Sequence, residues 1–375
     1  MDLRHIPALD QHAHNLLKPE AVEAGSYAEA FTESNDLAGF QHHARQTLFF
    51  RRSLRDIASL LECEASEEAI LSRRRELGIE KLAALCFQAA HLSAVFLDDG
   101  FLPQEILPWD WHRQFLPVRR ILRLEYLAET LIPSAGSFDA FLENFLNCID
   151  PPPAEVVAFK SIAAYRSGLR ISEAPQEAVR SSFEAIRRKA REKPQRLVDK
   201  AFIDFIVPLA LDVAARHGIP VQFHTGLGDP DMDLRLGNPL HLRPLLEDPR
   251  RRKAPIVLLH AGYPFVREAG YLASVYPRVF VDLGLAIPFL SVEGMRNLVR
   301  QLMELAPTTK LLFSSDARMI PELYYLGAKW GRKVLADVLD EAIRDSDLTA
   351  REAETVAERV LNGNARRLYL QERPL

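Results

Sequence analysis

Residues 220–262, PVQFHTGLGDPDMDLRLGNPLHLRPLLEDPRRRKAPIVLLHAG, carry the pattern that decides the fold. An apolar run at 220–224 ends in His224, a turn-rich loop leads to a helical stretch at 240–248, and a second apolar run at 255–260 ends in His260. Short apolar runs alternating with helices argue for βα units and a parallel sheet. Downstream the alternation continues: helix 265–276, strand 279–283, helix 292–305, strand 310–314, then closing helices through LADVLDEAI and AETVAERVL. Upstream, helices are expected at 173–191 and 195–217, the second ending at His217-Gly218 as a glycine cap suggests. Before them come a helix at 137–148, the breaker Pro151-Pro152-Pro153 and the strand VVAFKSI, 156–162. A strand starting at 121, AVFLDDG at 94–100 and a weak strand at 6–10 complete eight. The expectation is an α/β chain folded as a (β/α)8 TIM-type barrel, one domain over 1–375, with a helical insertion after the first strand at about 16–92. Within that insertion the periodicity predicts helices through 27–40, 42–61 and 67–92, forming a cap over the barrel mouth or an oligomer surface.

Composition sets outer limits. The 375 residues are 48% hydrophobic and 26% charged, and the net charge is −4. That balance gives no electrostatic reason to expect nucleic acid or an anionic membrane as partner. Arg73-Arg74-Arg75 and Arg250-Arg251-Arg252-Lys253 read as solvated faces. The three cysteines have wide spacings and no C-x-x-C, so neither a disulfide framework nor a thiolate zinc site is expected, and a reducing compartment follows. No signal peptide and no membrane-length apolar run is apparent, which predicts a cytoplasmic protein.

The chemistry lies at the strand ends. His12 and His14 follow the first strand in PALDQHAHN (7–15); two imidazoles two residues apart on a strand share a face and can chelate one divalent ion. Lys160 ends VVAFKSI, His224 and His260 end their strands before Thr-Gly and Ala-Gly, and Asp316 follows LLFSS. Taken singly, each is an ordinary strand-end residue, and Asp316 could merely cap a helix. Together, in the order H-x-H, Lys, His, His, Asp, they are what a barrel needs to build a metal site on its C-terminal face. Tyr165 and Arg166, just past Lys160, Arg235 in the loop 226–238, and Arg318 after the last strand are candidate substrate contacts. Arginine grips carboxylates through two parallel bonds. Glu322 is expected at the mouth, whereas Glu125 and the Asp98-Asp99 pair suit a site or a salt bridge equally. The histidines at 5, 42, 43, 91, 112, 217 and 241 read as structural.

This order of residues resembles the amidohydrolase superfamily of metal-dependent (β/α)8 barrels. FKSIAAYRSGL (159–169), FSSDARMIPELYYLGAK (313–329) and GNARRLY (363–369) look like its amidohydrolase-related branch, which also occurs fused to glutamine-synthetase-like domains in nodulin-type proteins. The likeness spans nearly the whole chain and is faint through 16–92. It implies one or two catalytic divalent ions, usually zinc, with His12, His14 and Asp316 as ligands. In binuclear relatives a carbamylated lysine at the position of Lys160 bridges two ions, and His224 and His260 complete the second site. In mononuclear relatives His224 joins the first ion and His260 acts as acid or base, and a lysine could also simply reach solvent. Asp316 would accept the proton of the attacking water and return it to the leaving nitrogen.

The function expected is hydrolysis of a C–N amide bond in a small, carboxylate-bearing molecule, with γ-glutamyl amides suggested by the glutamine-synthetase association. That association also suggests a functional link to a glutamine-synthetase-like enzyme, and homo-oligomers are compatible. Alternatives within the superfamily are non-oxidative decarboxylation and uronate-isomerase-like chemistry. A silent scaffold would be expected to have lost ligands, and all are present.

Overall fold

The computed structural model describes residues 1–36 and 38–371. Eight strands are hydrogen-bonded neighbours in chain order: β1 (Ala8–Ala13), β2 (Leu92–Asp98), β3 (Val118–Arg123), β4 (Val156–Ser161), β5 (Val221–Phe223), β6 (Ile256–Leu258), β7 (Val279–Asp282) and β8 (Leu311–Leu312). Each pairing with a recorded register is parallel. Backbone bonds from Gln11 N to Phe313 O (3.4 Å), Asp316 N to His12 O (3.0 Å) and His14 N to Ala317 O (2.7 Å) join the first strand to the segment beyond the last. The fold is the expected eight-stranded barrel with interleaved helices. No helix among the described residues is long and apolar enough to cross a membrane.

The chain packs as two compact units, 1–119 with 282–375, and 120–281. The first holds the region between β1 and β2. Its long helices are α1 (Leu48–Leu61), started by the Thr47 side chain accepting the Phe50 N–H, and α2 (Glu67–Ala90), started by Ser66 on Ala69 N. Their apolar faces meet α7 (Glu322–Arg344) in a core built around Phe31, Phe50, Ile57, Phe87 and Tyr324. The second unit contains α3 (Leu124–Leu131), α4 (Phe138–Ile149), α5 (Gln176–Ala190) and α6 (Lys200–His217). Phe138, Phe141, Phe183 and Phe202 interlock there at ring separations of 5.2–6.4 Å. Gly218 ends α6 at φ 67°, the left-handed cap its sequence suggested.

The insertion departs from expectation in one stretch. The helix expected at 27–40 is a single 3-10 turn, Tyr27–Phe31, followed by extended Thr32 at φ −146°; Leu37 lies outside the described residues. The reason is local competition. Thr32 Oγ1 accepts from Ser34 N, Ser34 Oγ from Asp36 N, and Asp36 Oδ1 from Ala38 N, so side chains take the backbone donors a helix would need. Likewise the helix expected from 42 becomes a regular α-helix at Leu48, after a π turn at Gly39–His43 and a 3-10 turn at Ala44–Gln46. The third expected helix ends at Ala90, and β2 takes over at Leu92.

Candidate metal centre

In the first unit, β1 and the segment after β8 converge on one oxygen. His12 Nε2 lies 3.1 Å and His14 Nε2 3.4 Å from Asp316 Oδ1. His12 is fully buried, and His14 and Asp316 are each 7% exposed. Each ring's orientation has a cause. The Nδ1 of His14 sits 3.0 Å from the Asp98 carbonyl oxygen and donates to it, which leaves Nε2 with its lone pair toward Asp316. The Asp98 carboxylate caps its own turn, accepting from Gly100 N at 3.1 Å. Asp316 is held by its N–H on His12 O, which places its carboxylate beside the two imidazoles.

Two ligands each about 2.0–2.1 Å from a tetrahedral ion lie roughly 3.3 Å apart, the edge of that tetrahedron. The two separations here bracket that value, so each imidazole stands at a distance from the Asp316 carboxylate that suits two ligands of one zinc-like divalent ion. Asp98 is the alternative to Asp316: His12, His14 and Asp98 each offer a donor atom within 4.8 Å of the others, its carboxylate lying 3.9 Å from Nδ1 of His14 on the side of the ring that meets a carbonyl.

Asp316 has φ 49°, an uncommon conformation for a side-chain-bearing residue. Strain of this kind costs about 1–3 kcal/mol and persists where surrounding contacts impose it, often at functional sites. Beneath the pair, Asp10 is buried and accepts from Ser315 N (2.9 Å) and Oγ. Burial pushes its carboxyl up to about 7 despite those bonds. His112 braces the segment after His14: its Nε2 accepts the Leu16 N–H at 3.1 Å while Nδ1 donates to Pro108 O. Burial lowers its pKa to about 4, consistent with the neutral tautomer this geometry requires. It is structural, as expected.

Arg318 turns to the insertion, donating to Thr32 O at 2.9 Å and pairing with Glu33 at 2.6 Å. Glu322 does not line the mouth. It is fully buried, ion-paired with Arg74, and accepts from the Tyr27 hydroxyl at 3.3 Å.

The second unit brings together the other histidines. His224, just past β5, donates from Nε2 to Leu227 O at 2.9 Å, which fixes Nδ1 as its lone-pair nitrogen; His260 Nε2 lies 3.0 Å from that Nδ1. Tyr165 packs its ring on His224 at 4.3 Å. His260 and Ala261 also take left-handed conformations, at φ 64° and 53°. Lys160 is 2% exposed at the end of β4 and is register partner to Arg123 and Gln222. Behind it, Glu125 accepts from Ser161 Oγ (2.7 Å) and Ile162 N (3.1 Å).

The loop after β5 closes on itself through Gly226 N to Gly237 O at 2.9 Å. Gly226 has φ 69°, and a Cβ there would lie 2.2 Å from Tyr263 O, so only glycine fits. A Cβ on Gly228 would sit 2.2 Å from the Tyr165 hydroxyl. Arg235 stands apart: its side chain is 88% exposed and its fork is occupied by Asp233. Sequence reasoning missed the Asp98 and Leu227 carbonyls as orienting groups. Neither has a sequence signal, because any residue supplies a carbonyl.

A barrel with histidine and aspartate donors at its strand ends defines a metal-dependent, hydrolase-type enzyme. The amidohydrolase family model matches residues 181–370, half of the chain. The chain belongs to the amidohydrolase family. It is 31% identical to Protein fluG of Emericella nidulans over 99% of its own length and 47% of that protein, so it spans about half the length of that relative. A Lactobacillus casei protein, provisionally described as a metal-dependent hydrolase, superposes with TM-score 0.86 at 28% identity over 99% of this chain and 97% of that one. Uronate isomerase from Thermotoga maritima shares the fold, with TM-score 0.65 at 13% identity over 98% and 95%.

Proposed function

We propose that this chain is a hydrolase cleaving the C–N amide bond of a small, carboxylate-bearing molecule, with γ-glutamyl amides the first compounds to test. The observation that carries the reading is the convergence of two imidazole Nε2 atoms on one Asp316 oxygen. His12, His14 and Asp316 would hold the ion, and Lys160, His224 and His260 are, within the second unit, the further donors of the proposal; imidazole and carboxylate donors favour zinc. A divalent ion held there supplies Lewis acidity, lowering the pKa of water from about 15.7 toward 7 and polarising a carbonyl.

Asp316 takes the proton released as water adds to the amide carbon and delivers it to the departing nitrogen, giving a carboxylic acid and an amine or ammonia. His260 is the second candidate for proton transfer, its Nε2 set against His224. Tyr165 covers His224 and Arg166 is the buried cation we assign to an acidic substrate, whereas Arg318 is already engaged by Glu33 and Thr32 O. Arg235 is the weakest of the substrate candidates, because solvent and Asp233 already satisfy it.

The free cysteines Cys63, Cys86 and Cys148 suit a reducing cytoplasm. The partial span of fluG, with the resemblance to fused domains, supports a working link to a glutamine-synthetase-like enzyme. The test is ammonia or amine release from γ-glutamyl amides by wild type and Asp316→Asn. Release by wild type alone, at equal metal content, supports the reading. Carbon dioxide release from aromatic acids, with no amide turnover, would replace it with decarboxylation.

A further inference from the structure

Arg166 closes the short helical turn after β4, Ala163–Arg166, and its side chain is only 8% exposed. Glu129 of α3 meets it through one long contact, Nη2 to Oε1 at 3.5 Å. That same oxygen also takes the Leu197 N–H at 2.6 Å, so the carboxylate is shared. The Nε–H of Arg166 is buried with no hydrogen-bond partner among the described residues, and so is the hydroxyl of the adjacent Ser167. A guanidinium carries five donors and keeps its proton in proteins, so leaving donors unmet in a buried place is costly. Burial pulls the Arg166 pKa below its ordinary value; Glu129 opposes this, while the positive charges of Arg196 and Arg123 add to it. Glu125, whose own pKa burial raises, opposes that shift too, behind Glu129. Arg123 ends β3 in register with Lys160, and aligned neighbours in a sheet share a face. Arg166 itself keeps a buried donor for which the described residues offer no hydrogen-bond partner.

We propose that Arg166, steered by Glu129 and backed by the charge of Arg123, anchors a carboxylate of the substrate, which docks on the Nε edge of the guanidinium with the Ser167 hydroxyl as a further donor. The assignment rests on the hydrolase reading for the identity of the pocket, and it adds the group that recognises the acid. A planar fork with one open edge suits a planar carboxylate. Glu129 is a positioning residue: it fixes the plane of the guanidinium and touches no substrate.

Calorimetry on the full-length protein tests this, with glutarate, its neutral analogue glutaramide, and inorganic phosphate as probes. Wild type should bind glutarate at least tenfold more tightly than the other two. Arg166→Ala should lose about 10- to 100-fold of the glutarate affinity, the range of a charge-assisted bond, with glutaramide unaffected. Glu129→Gln should lose less, and Glu129→Asp should recover part of that loss. Melting temperature provides a readout without ligand. Removing an under-satisfied buried cation leaves stability unchanged or higher, so Arg166→Met should melt no lower than wild type, whereas loss of a structural ion pair would lower it. The proposal is overturned if wild type does not discriminate glutarate from glutaramide, if phosphate binds best, or if Arg166→Met melts lower with glutarate affinity intact. Glutarate discrimination without any amide hydrolysis would refute the hydrolase reading alone and leave this anchor standing.

Discussion

The two groups of strand-end side chains are built by different means. Around His12, His14 and Asp316 the backbone does the positioning: the segment after β8 bonds directly to β1, a carbonyl of β2 turns His14, and the acid sits in a left-handed conformation imposed by those bonds. Around His224 and His260 a loop does it. Leu227 O sets the tautomer, the Gly226–Gly237 closure holds Leu227, and Tyr165 rests on the ring beside Gly228. The first arrangement has one geometry and suits an ion with fixed bond lengths. The second keeps donors in reserve at Arg166 and Ser167, which suits a substrate that comes and goes.

The sharpest way to break this contrast is at Asp316. Asp316→Asn should retain metal within about twofold and lose turnover by about 10³-fold or more, the range of a general base acting at a metal-activated water; parallel metal analysis and amide-release rates check it. Next is the buried ion pair that ties α2 to α7. Arg74→Leu strands Glu322 without its cation and should cost about 3–5 kcal/mol in urea unfolding, because an uncompensated buried charge is the penalty. The double change Arg74→Leu, Glu322→Leu should recover most of that. If the single and double variants are equally unstable, the charge is not the cause. In the loop-built group, Gly228→Ala should push Tyr165 off His224 and lower kcat/KM by about 10- to 100-fold while metal content stays put. Equal loss of metal would mean that the loop also builds the ion site.

A smaller effect is expected from pH. His112 is neutral in the fold, with its pKa lowered from 6.5 to about 4, so its contribution is complete above 6.5. As pH falls through that range the unfolded chain takes up a proton that the folded one refuses, and stability declines until about pH 4. The upper bound is roughly 3 kcal/mol. His112→Gln should flatten the slope relative to wild type; Asp10, raised by burial and working in the opposite sense, is common to both and cancels. Arg235→Ala should change KM less than about twofold, since an exposed pair carries little energy.

Much of this was legible in the sequence because barrel strands are apolar runs that stop at a polar residue. His224 and His260 mark the ends of β5 and β6 within two residues, and His12 and His14 close β1. The helical character of 67–90 and the glycine stop at Gly218 were equally plain. What stayed hidden depends on distant partners. The left-handed Asp316 and His260 carry no glycine to announce them. The 27–40 stretch has helical spacing, yet Thr32, Ser34 and Asp36 divert its backbone donors. Arg235 and Arg166 look alike in one dimension, and only burial separates a solvated ion pair from a guanidinium with an unmet donor.

The central claim is that His12, His14 and Asp316 form a site for a divalent ion. The direct measurement is elemental analysis of full-length protein purified without chelator, with His12→Ala and His14→Ala beside it. About one equivalent or more of a zinc-type metal in wild type, falling below about a tenth in either variant with the fold intact, is the predicted result. Wild type that carries less than a tenth of an equivalent, and gains neither metal nor melting temperature when zinc is supplied, would contradict it.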